Sequence, residues 1–349
     1  MADINLKVSS SPHILTTESV PRIMIAVALS LVPATIGAVY FFGLQAAMLI
    51  VLAVASAVGT EALCQKLRGV PVRINDFSAV VTGVLLAFNL PANAPWWMAV
   101  IGSAFAIAVV KELFGGLGFN IWNPALAARA FLLASWPTSM ISSGDFPAPR
   151  TGTLSGLQLD SISQATPLQF VKNVIAPLLE KPAEAGQDQL DAARGALEQM
   201  QGLDYTLSLI WGKVGGVIGE TSVVLLLIGA VYLLVKGYID WRVPLGYIGT
   251  VALLAWVFAG PEGYFTGNVM LHVCSGGLIL GAFFMATDMV TSPVTRKGKW
   301  IFAIGCGVLT LLIRVKGGYP EGVSYAILLM NTATPLIDSY TKPKIYGGS

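Results

Sequence analysis

Charged side chains are scarce in this sequence. Only 11% of its 349 residues are Asp, Glu, Lys or Arg, whereas soluble domains have about 25%. So few charges cannot give a soluble fold of this size a polar surface, so the composition favours a protein that uses the bilayer as its solvent. The net charge is only +2, and the basic residues lie in small groups between apolar runs. A nucleic-acid partner would call for a basic patch or stripe, so both features argue against one.

Cysteine and histidine are also few. Cys64, Cys274 and Cys306 lie in or beside apolar runs and have no C-x-x-C spacing. Three isolated thiols do not form a zinc or iron–sulfur site by themselves; we interpret them as packing residues, and a metal site completed by another subunit stays open. His13 and His272 are too far apart to predict a haem pair. The sequence has no G-x-x-x-x-G-K-[ST] loop, so nothing supports ATP-driven transport.

Long apolar runs dominate the rest of the chain. A transmembrane helix needs about 20 mostly apolar residues. We therefore predict an all-α integral membrane protein with about ten transmembrane helices, near residues 22–42, 44–64, 76–90, 96–113, 124–140, 219–236, 243–259, 269–287, 300–315 and 322–338. The third run is short for a full crossing, which predicts a helix that is tilted, broken or buried by its neighbours.

Basic residues segregate between alternate loops. With ten spans, one side of the membrane has Lys66, Lys111 and Lys297, among others, while Arg314 and Lys316 are exceptions on the other side. The excess of Lys and Arg in cytoplasmic loops then predicts cytoplasmic termini. The predicted organisation is a cytoplasmic segment 1–21, a five-helix half 22–140, an extracytoplasmic loop 141–218, a second five-helix half 219–340 and a cytoplasmic tail 341–349.

The two halves resemble each other. WWMAVIGSAFAIAVVKELFGG in the first half corresponds to KWIFAIGCGVLTLLIRVKGG in the second. Because each half has an odd number of spans, the second copy must be inverted relative to the first. Inverted repeats are typical of channels and transporters, whose sites lie where the repeats meet.

Ionisable residues within or beside the spans are functional candidates by default; here they are Asp76, Glu112, Arg129 and Asp288. We predict that Asp76 and Asp288 occupy matching places in the two halves. Together with Thr287 and the carbonyls of a broken helix, they would then provide oxygen ligands for a Na+ path. The alternative is that these groups are solvated or paired, for example Glu112 with Lys111 or with Arg129.

A glycine-rich turn, GGLGFNIWNPA, joins the fourth and fifth spans. Asn123 followed by Pro124 is typical of a helix N-terminus with a side-chain cap. The functional alternative is an anion or isoalloxazine site at the start of this helix.

The loop 141–218 contains the stretch DSISQATPL. Because Pro167 follows Thr166, we expect Thr166 to be extended and exposed, and Asp160 and Ser163 can hydrogen-bond nearby. From these residues alone the stretch is an ordinary polar turn.

This stretch resembles the flavinylation motif of the family that includes RnfD, a component of the Rnf complex, and the B subunit of the sodium-pumping quinone reductase. The motif has an Asp six residues before the Thr of an Ala-Thr pair, and Asp160, Ala165 and Thr166 match it, whereas Ser161 replaces the expected Gly. Further similar segments follow in the same order along nearly the whole chain: SSSPHI, LPANAPWWM, GGLGFNIWNPALAARAF, MATDMVTSP, LIRVKGGYPEGVSYAILLMN and PLIDSYTKPKIYG.

The resemblance implies FMN bound to Thr166 through a phosphoester, installed by a flavin transferase, with Asp160, Ser163 and Ala165 beside it. It also implies a second, non-covalent flavin (riboflavin) near Asn120 and Asn123. The implied protein is a multi-pass subunit in the cytoplasmic membrane of a bacterium or archaeon. It would carry electrons between ferredoxin and NAD, coupled to Na+ or H+ translocation. Its partners would be membrane lipid and the other Rnf subunits, which are A, B, C, E and G, above all the FMN-bearing G subunit.

A second Ala-Thr-Pro-Leu string provides an internal control. Leu328 stands six residues before Thr334, where the motif has an acid. We therefore predict that Thr334 carries no flavin. The competing hypotheses are a passive channel or secondary transporter in which the long loop is structural, and a scaffold for other redox subunits.

Overall fold

The computed structural model describes residues 18–141, 146–147, 163–164, 166–180, 186–220, 222–260, 263–318 and 321–342. Secondary structure in these residues is almost entirely helical, which confirms the predicted class. The exception is a short antiparallel pair in which Phe146–Pro147 faces Ser163–Gln164.

The first half of the chain is built from helices joined by short turns. Their bounds are α1 Val20–Phe42, α2 Leu44–Leu67, α3 Ser78–Phe88, α4 Trp96–Phe105 with a π-helical continuation Ala106–Glu112, α5 Pro124–Ser135 and α6 Pro137–Ile141. A 3-10 turn, Ile74–Asp76, precedes α3.

The predicted loop contributes further helices: α7 Pro167–Phe170, which continues as a π-helical turn Val171–Ile175, α8 Ala176–Glu180, α9 Gln187–Gln201 and α10 Leu203–Trp211. After a 3-10 turn, Ile218–Glu220, the second half consists of α11 Val223–Lys236, α12 Arg242–Phe258, α13 Val269–Cys274, α14 Leu278–Leu280 with a π-helical continuation Gly281–Met285, α15 Arg296–Lys316 and α16 Val323–Thr341.

Helical structure lies at each of the ten predicted spans. In the described part of the chain, α1, α2 and α15 are long and apolar enough to cross a membrane by length and composition alone. The third span is short, as predicted, because α3 has 11 residues. The eighth predicted span is broken between α13 and α14, where Gly276 and Gly277 adopt φ values of 70° and 64°. The membrane crossing of each helix and the inverted repeat stay predictions.

Small residues bring the helices close together. A Cβ on Gly229 of α11 would overlap the carbonyl oxygen of Ser30 in α1, and one on Gly83 of α3 would lie 2.7 Å from Cα of Val54 in α2. Close backbone approach at small residues is how helices pack when lipid removes the hydrophobic drive between them. The contact of α1 with α11 joins the first helix of one half to the first helix of the other.

Candidate functional site

Thr166 caps the N-terminus of α7. Its backbone is extended, with φ −62° and ψ 149°, and its Oγ1 accepts a hydrogen bond from the Gln169 amide at 3.2 Å. The extended conformation was predicted, but the predicted exposure is wrong, because Thr166 is only 3% exposed. Burial follows from the cap and from the apolar residues next to it. The Ser163 backbone pairs with Pro147, while Asp160 and Ala165 lie outside the described residues.

The helix that begins at Thr166 is packed against α13 and α15. Leu168 forms an apolar cluster with Leu209 and Leu271. Lys172 Nζ donates hydrogen bonds to the carbonyl oxygens of Ile313, at 3.3 Å, and Gly317. Burial lowers the pKa of the Lys172 ammonium. The Thr166 turn is therefore fixed to the second half of the molecule.

Arg314 holds the break between α13 and α14. Its guanidinium donates to the carbonyl oxygens of His272, of Ser275 at 3.1 Å and of Gly276 at 3.2 Å. These carbonyls lack helical partners because the chain leaves the helix at Ser275, and a cation at a helix C-terminus is favourable. Arg314 is 4% exposed. In the sequence analysis Arg314 was an exception to the segregation of basic loop residues to one side of the membrane. The structure explains this exception, because Arg314 is a buried structural residue and not a loop charge.

Four further polar residues lie next to this break, and together with Arg314 we call them the Glu220 cluster: Asn89, Arg129, Glu220 and Glu321. Arg129 forms an ion pair with Glu321 and donates to Asn89 Oδ1 at 2.9 Å. Glu220 Oε1 lies 3.1 Å from the point where a Cβ on Gly277 would stand, so this carboxyl group faces the break. The alternative pairing of Arg129 with Glu112 is wrong, because α16 brings Glu321 to Arg129 instead.

Buried polar atoms without a partner concentrate around this cluster. In the described residues seven buried side-chain atoms lack a hydrogen bond, and five of them are here: Gln169 Oε1, Glu220 Oε1, His272 Nδ1, Ser275 Oγ and Arg314 Nε. Buried polar groups are normally satisfied by protein, water or ligand. The concentration of such atoms beside the Thr166 helix marks this region as a candidate site.

A second polar cluster lies in the first half, and we call it the Lys111 cluster: Glu61, Gln65, Ser78, Lys111 and Glu112, with Arg68 and Asp76 at its edge. Lys111 pairs with Glu61 and donates to Ser78 Oγ at 2.6 Å. Glu112 pairs with Arg68 at 2.6 Å. The prediction of Lys111 as a loop charge is wrong, because it is 2% exposed. The alternative pairing of Glu112 with Lys111 is also wrong.

A cavity between the two halves adjoins the Lys111 cluster. It has a volume of about 100 Å³ and is partly open. Lys111 and Ser78 line it together with Asn120, Asn123 and Asp288. The structure therefore brings both predicted flavin-contacting asparagines and Asp288 to one cavity.

Of the predicted acidic pair, Asp288 lines this cavity and Asp76 does not. Asp288 Oδ1 accepts from the Val290 amide at 3.3 Å while its Oδ2 accepts from Thr291 Oγ1 at 3.2 Å. Asp76 lies behind Ser78, whose hydroxyl donates to Asp76 Oδ1 at 2.7 Å. Thr287 also lines the cavity, so Asp288 and Thr287 lie on the wall of one cavity, and their role as ion ligands stays a prediction.

Asn120 and Asn123 differ in their roles. Asn123 caps α5, as predicted, because its Oδ1 accepts from the amides of Ala125 and Leu126 at 3.1 and 3.3 Å. Asn120 donates to the Trp122 carbonyl at 3.1 Å. Both are buried. The cap therefore fixes Asn123, while the amide of Asn120 has hydrogen-bonding capacity left for a ligand.

Sequence reasoning missed Glu61, Glu220 and Glu321. Glu61 had a detectable signal, since it is an acid within the apolar run of α2. Glu220 and Glu321 stand just before helices, where acids are ordinary. All three cysteines are free thiols, and the described residues contain no group of three His, Cys, Asp or Glu that could hold a metal ion.

The chain is similar to known proteins over nearly its whole length. The chain is 50% identical to the D subunit of the Na(+)-translocating ferredoxin:NAD(+) oxidoreductase complex of Acetobacterium woodii, over 99% of this chain and 97% of the relative. It is 46% identical to the D subunit of the proton-translocating ferredoxin:NAD(+) oxidoreductase complex of Clostridium ljungdahlii, over 99% of both chains. The model of the NQR2, RnfD, RnfE family matches residues 7–347. The chain therefore belongs to the NQR2, RnfD, RnfE family.

Proposed function

We propose that this chain is the D subunit of an ion-translocating ferredoxin:NAD+ oxidoreductase and that it carries electrons on FMN bound covalently to Thr166. The first part rests on relatives named as D subunits of such complexes, to which the chain is 50% and 46% identical over 99% of its length. The Asp160–Thr166 motif and the position of Thr166 at the start of a helix support the second. The chain acts only within the complex, with the other subunits and with a flavin transferase during maturation.

The residues around Thr166 fit a phosphoester. In the present hydrogen bond Oγ1 is the acceptor, and an ester oxygen retains acceptor capacity. Helical structure continues from Pro167 to Glu180, so the phosphate would lie at the N-terminus of a helix, where backbone amides and the helix dipole favour an anion. Bound FMN supplies the redox chemistry, and the protein supplies its position and electrostatic environment.

The lining of the cavity beside Asn120 supports a site for the non-covalent flavin. Sites for small ligands combine apolar walls with a few polar groups. This cavity has apolar walls that include Leu85 and Phe283, and Lys111 and Asn120 provide hydrogen-bond donors. We propose that the second flavin binds here, with Asn123 holding the helix start beside it.

Ion translocation would use the acidic groups at the same cavity. Asp288 and Thr287 provide oxygen atoms on its wall, and Asp76 adds a negative charge behind Ser78.

We place both termini in the cytoplasm of a bacterial or archaeal cell and the Thr166 loop on the opposite side of the cytoplasmic membrane. This assignment follows the segregation of basic loop residues, which no longer includes Lys111 or Arg314.

Intact mass of the chain, produced with its flavin transferase, tests the covalent flavin. We expect one added FMN on the parent and on Thr334→Ala, because the Thr334 hydroxyl lies inside α16 and is bonded to the Thr291 carbonyl at 3.0 Å. We expect none on Thr166→Ala.

Thr166→Asn is the matched control for folding. Asn is as good a helix cap as Thr, so this variant should keep the fold and lack the flavin. A parent without FMN, despite an active transferase, would contradict the proposal and favour the channel or transporter hypothesis.

A further inference from the structure

A groove lies between the end of α11, the start of α12 and the segment that leads into α15, and we call it the Arg242 groove. It has a volume of about 580 Å³ and is partly open. Its lining combines apolar and charged side chains, which include Leu234, Ile239 and Met289 on the one hand and Asp240, Arg242 and Lys299 on the other. A groove with both kinds of lining suits an amphiphilic ligand better than a small ion.

Two cations in this groove share one carboxylate. Arg242 Nη1 donates to Asp240 Oδ1 and Oδ2 at 3.1 and 3.0 Å, and Lys299 Nζ donates to Oδ2 at 3.1 Å. The Arg242 and Lys299 side chains are each 24% exposed. Within the described part of the chain, Arg242 Nε and Nη2 keep their donors for a ligand, because the bonds to Asp240 use Nη1. The trio therefore carries one positive charge in excess and unused donors.

Trp241 fixes the orientation of the Arg242 guanidinium. The guanidinium carbon lies 5.2 Å from the centroid of the Trp241 ring, and this ring packs edge-to-face against Trp300 at 6.1 Å. A guanidinium held between a carboxylate and an aromatic ring is preorganised, and its planar fork matches a phosphate group. Tryptophan is also enriched where a membrane protein meets the lipid headgroups. These contacts favour a phosphate at headgroup level.

Further charges lie at the rim of the groove. Arg296 and Lys297 are exposed in the first turn of α15, which has no acid, and cations there are unfavourable next to the helix dipole unless an anion is near. Asp338 accepts from a backbone amide of the groove lining, and Glu18 accepts from a tyrosine hydroxyl of it. The four basic residues of groove and rim outnumber these two acids and Asp240, so an anion is the complementary ligand.

An exposed apolar stripe of α12 begins at Arg242. Leu245, Gly249, Leu253 and Trp256 follow it at spacings of three or four residues, which place them on one face of the helix. Leu245 is 57%, Leu253 61% and Trp256 47% exposed. A Cβ on Gly249 would meet nothing within 4 Å, so the stripe has a notch there. This face, which we call the α12 stripe, offers a path for an acyl chain, and free phosphate would have no use for it.

We propose that the Arg242 groove binds the phosphate group of an anionic phospholipid, with an acyl chain along the α12 stripe. In the proposed orientation the groove faces the cytoplasmic leaflet, which holds anionic lipid. Basic pockets between transmembrane helices on that side bind anionic headgroups. The phosphate offsets the excess charge of Arg242 and Lys299. The inference does not depend on either flavin.

Native mass spectrometry of the delipidated complex, titrated with phosphatidylglycerol or with phosphatidylcholine of the same acyl chains, tests the proposal. We expect the first phosphatidylglycerol to bind about tenfold more tightly, as for charge-assisted hydrogen bonds to one phosphate. Arg242→Gln should remove this preference and leave phosphatidylcholine binding unchanged. Lys66→Gln is the matched control, because it makes the same charge change at an exposed residue near the end of α2.

Gly249→Leu keeps all the charges and tests the acyl path. The added side chain fills the notch and begins in open space, so the fold is preserved while phosphatidylglycerol binding should weaken. This variant keeps the test valid if Arg242→Gln fails to assemble.

Three results would overturn the proposal. One is equal affinity of the parent for the two lipids, as expected if an acidic segment of another subunit covers the groove. Another is an equal loss of affinity in Arg242→Gln and Lys66→Gln. The third is displacement of phosphatidylglycerol by inorganic phosphate at the same concentration, together with unchanged binding in Gly249→Leu, which would make the groove a site for free phosphate.

Discussion

Lys111 donates from the π-helical end of α4 to the carboxylate of Glu61 in α2, and neither side chain is more than 2% exposed. Ser78 Oγ accepts a second hydrogen bond from the same ammonium at 2.6 Å. The cost of burying an ion pair often exceeds its Coulombic gain, whereas removal of one partner leaves an uncompensated charge. Loss of one residue of the pair should therefore lower the free energy of unfolding much more than loss of both.

Lys111→Met should destabilise the chain by about 3–5 kcal/mol, because Glu61 is left as an unpaired buried charge. Glu61→Leu combined with Lys111→Met should restore most of this loss. Thermal unfolding in detergent measures both, with Lys297→Met at an exposed position as the control. A double variant as unstable as the single one would contradict the uncompensated-charge explanation.

Asn120→Leu should reduce the non-covalent flavin and leave the covalent flavin unchanged. Loss of one hydrogen bond of about 1.4 kcal/mol weakens binding about tenfold. Acid extraction of the purified chain releases only the non-covalent flavin, and intact mass reports the covalent one. Asn268→Ser is the matched control, since Asn268 caps α13 through the Leu271 amide and Ser preserves a cap. Equal extracted flavin in both variants would exclude Asn120 as a contact.

Asp288→Asn should uncouple ion transport from electron transfer. The Asn oxygen can still accept from the Val290 amide, so the turn is preserved and only the negative charge at the cavity is lost. We expect ferredoxin-dependent NAD+ reduction to continue in vesicles of the complex while ion uptake falls several-fold. Asp338→Asn serves as the control, because Asp338 also accepts from a backbone amide, that of Val294 at 3.1 Å. Unchanged uptake per electron would exclude a role for the Asp288 charge.

Hydropathy located the apolar helices of the two halves, because an apolar run of this length has few stable alternatives in lipid. It also identified α3 as short, and the Asn123-Pro124 pair identified a helix cap, since both depend on local sequence. It did not locate the break after Cys274. Ser275, Gly276 and Gly277 are small residues in an apolar run, and only the packing of Arg314 against their carbonyls turns that flexibility into a break.

Thr166 shows the same division between local and long-range information. Because Pro167 follows it, Thr166 was predicted to be extended, which the backbone confirms. Its burial was not predictable, because Leu168 and Lys172 contact α13 and α15, more than a hundred residues further along the chain.

The sequence by itself determined the membrane class, the positions of the apolar helices apart from the break after Cys274, and the family, because these depend on composition, on apolar run length and on motifs that are continuous in the chain. Tertiary structure decided which charges are buried. Lys111 and Arg314 both precede a double glycine and look like loop charges, yet one pairs with Glu61 and the other with the carbonyls of Ser275 and Gly276. A charge can stay buried only where distant segments bring compensating groups to it. Hydropathy is a property of local sequence, so it cannot predict which distant groups these are.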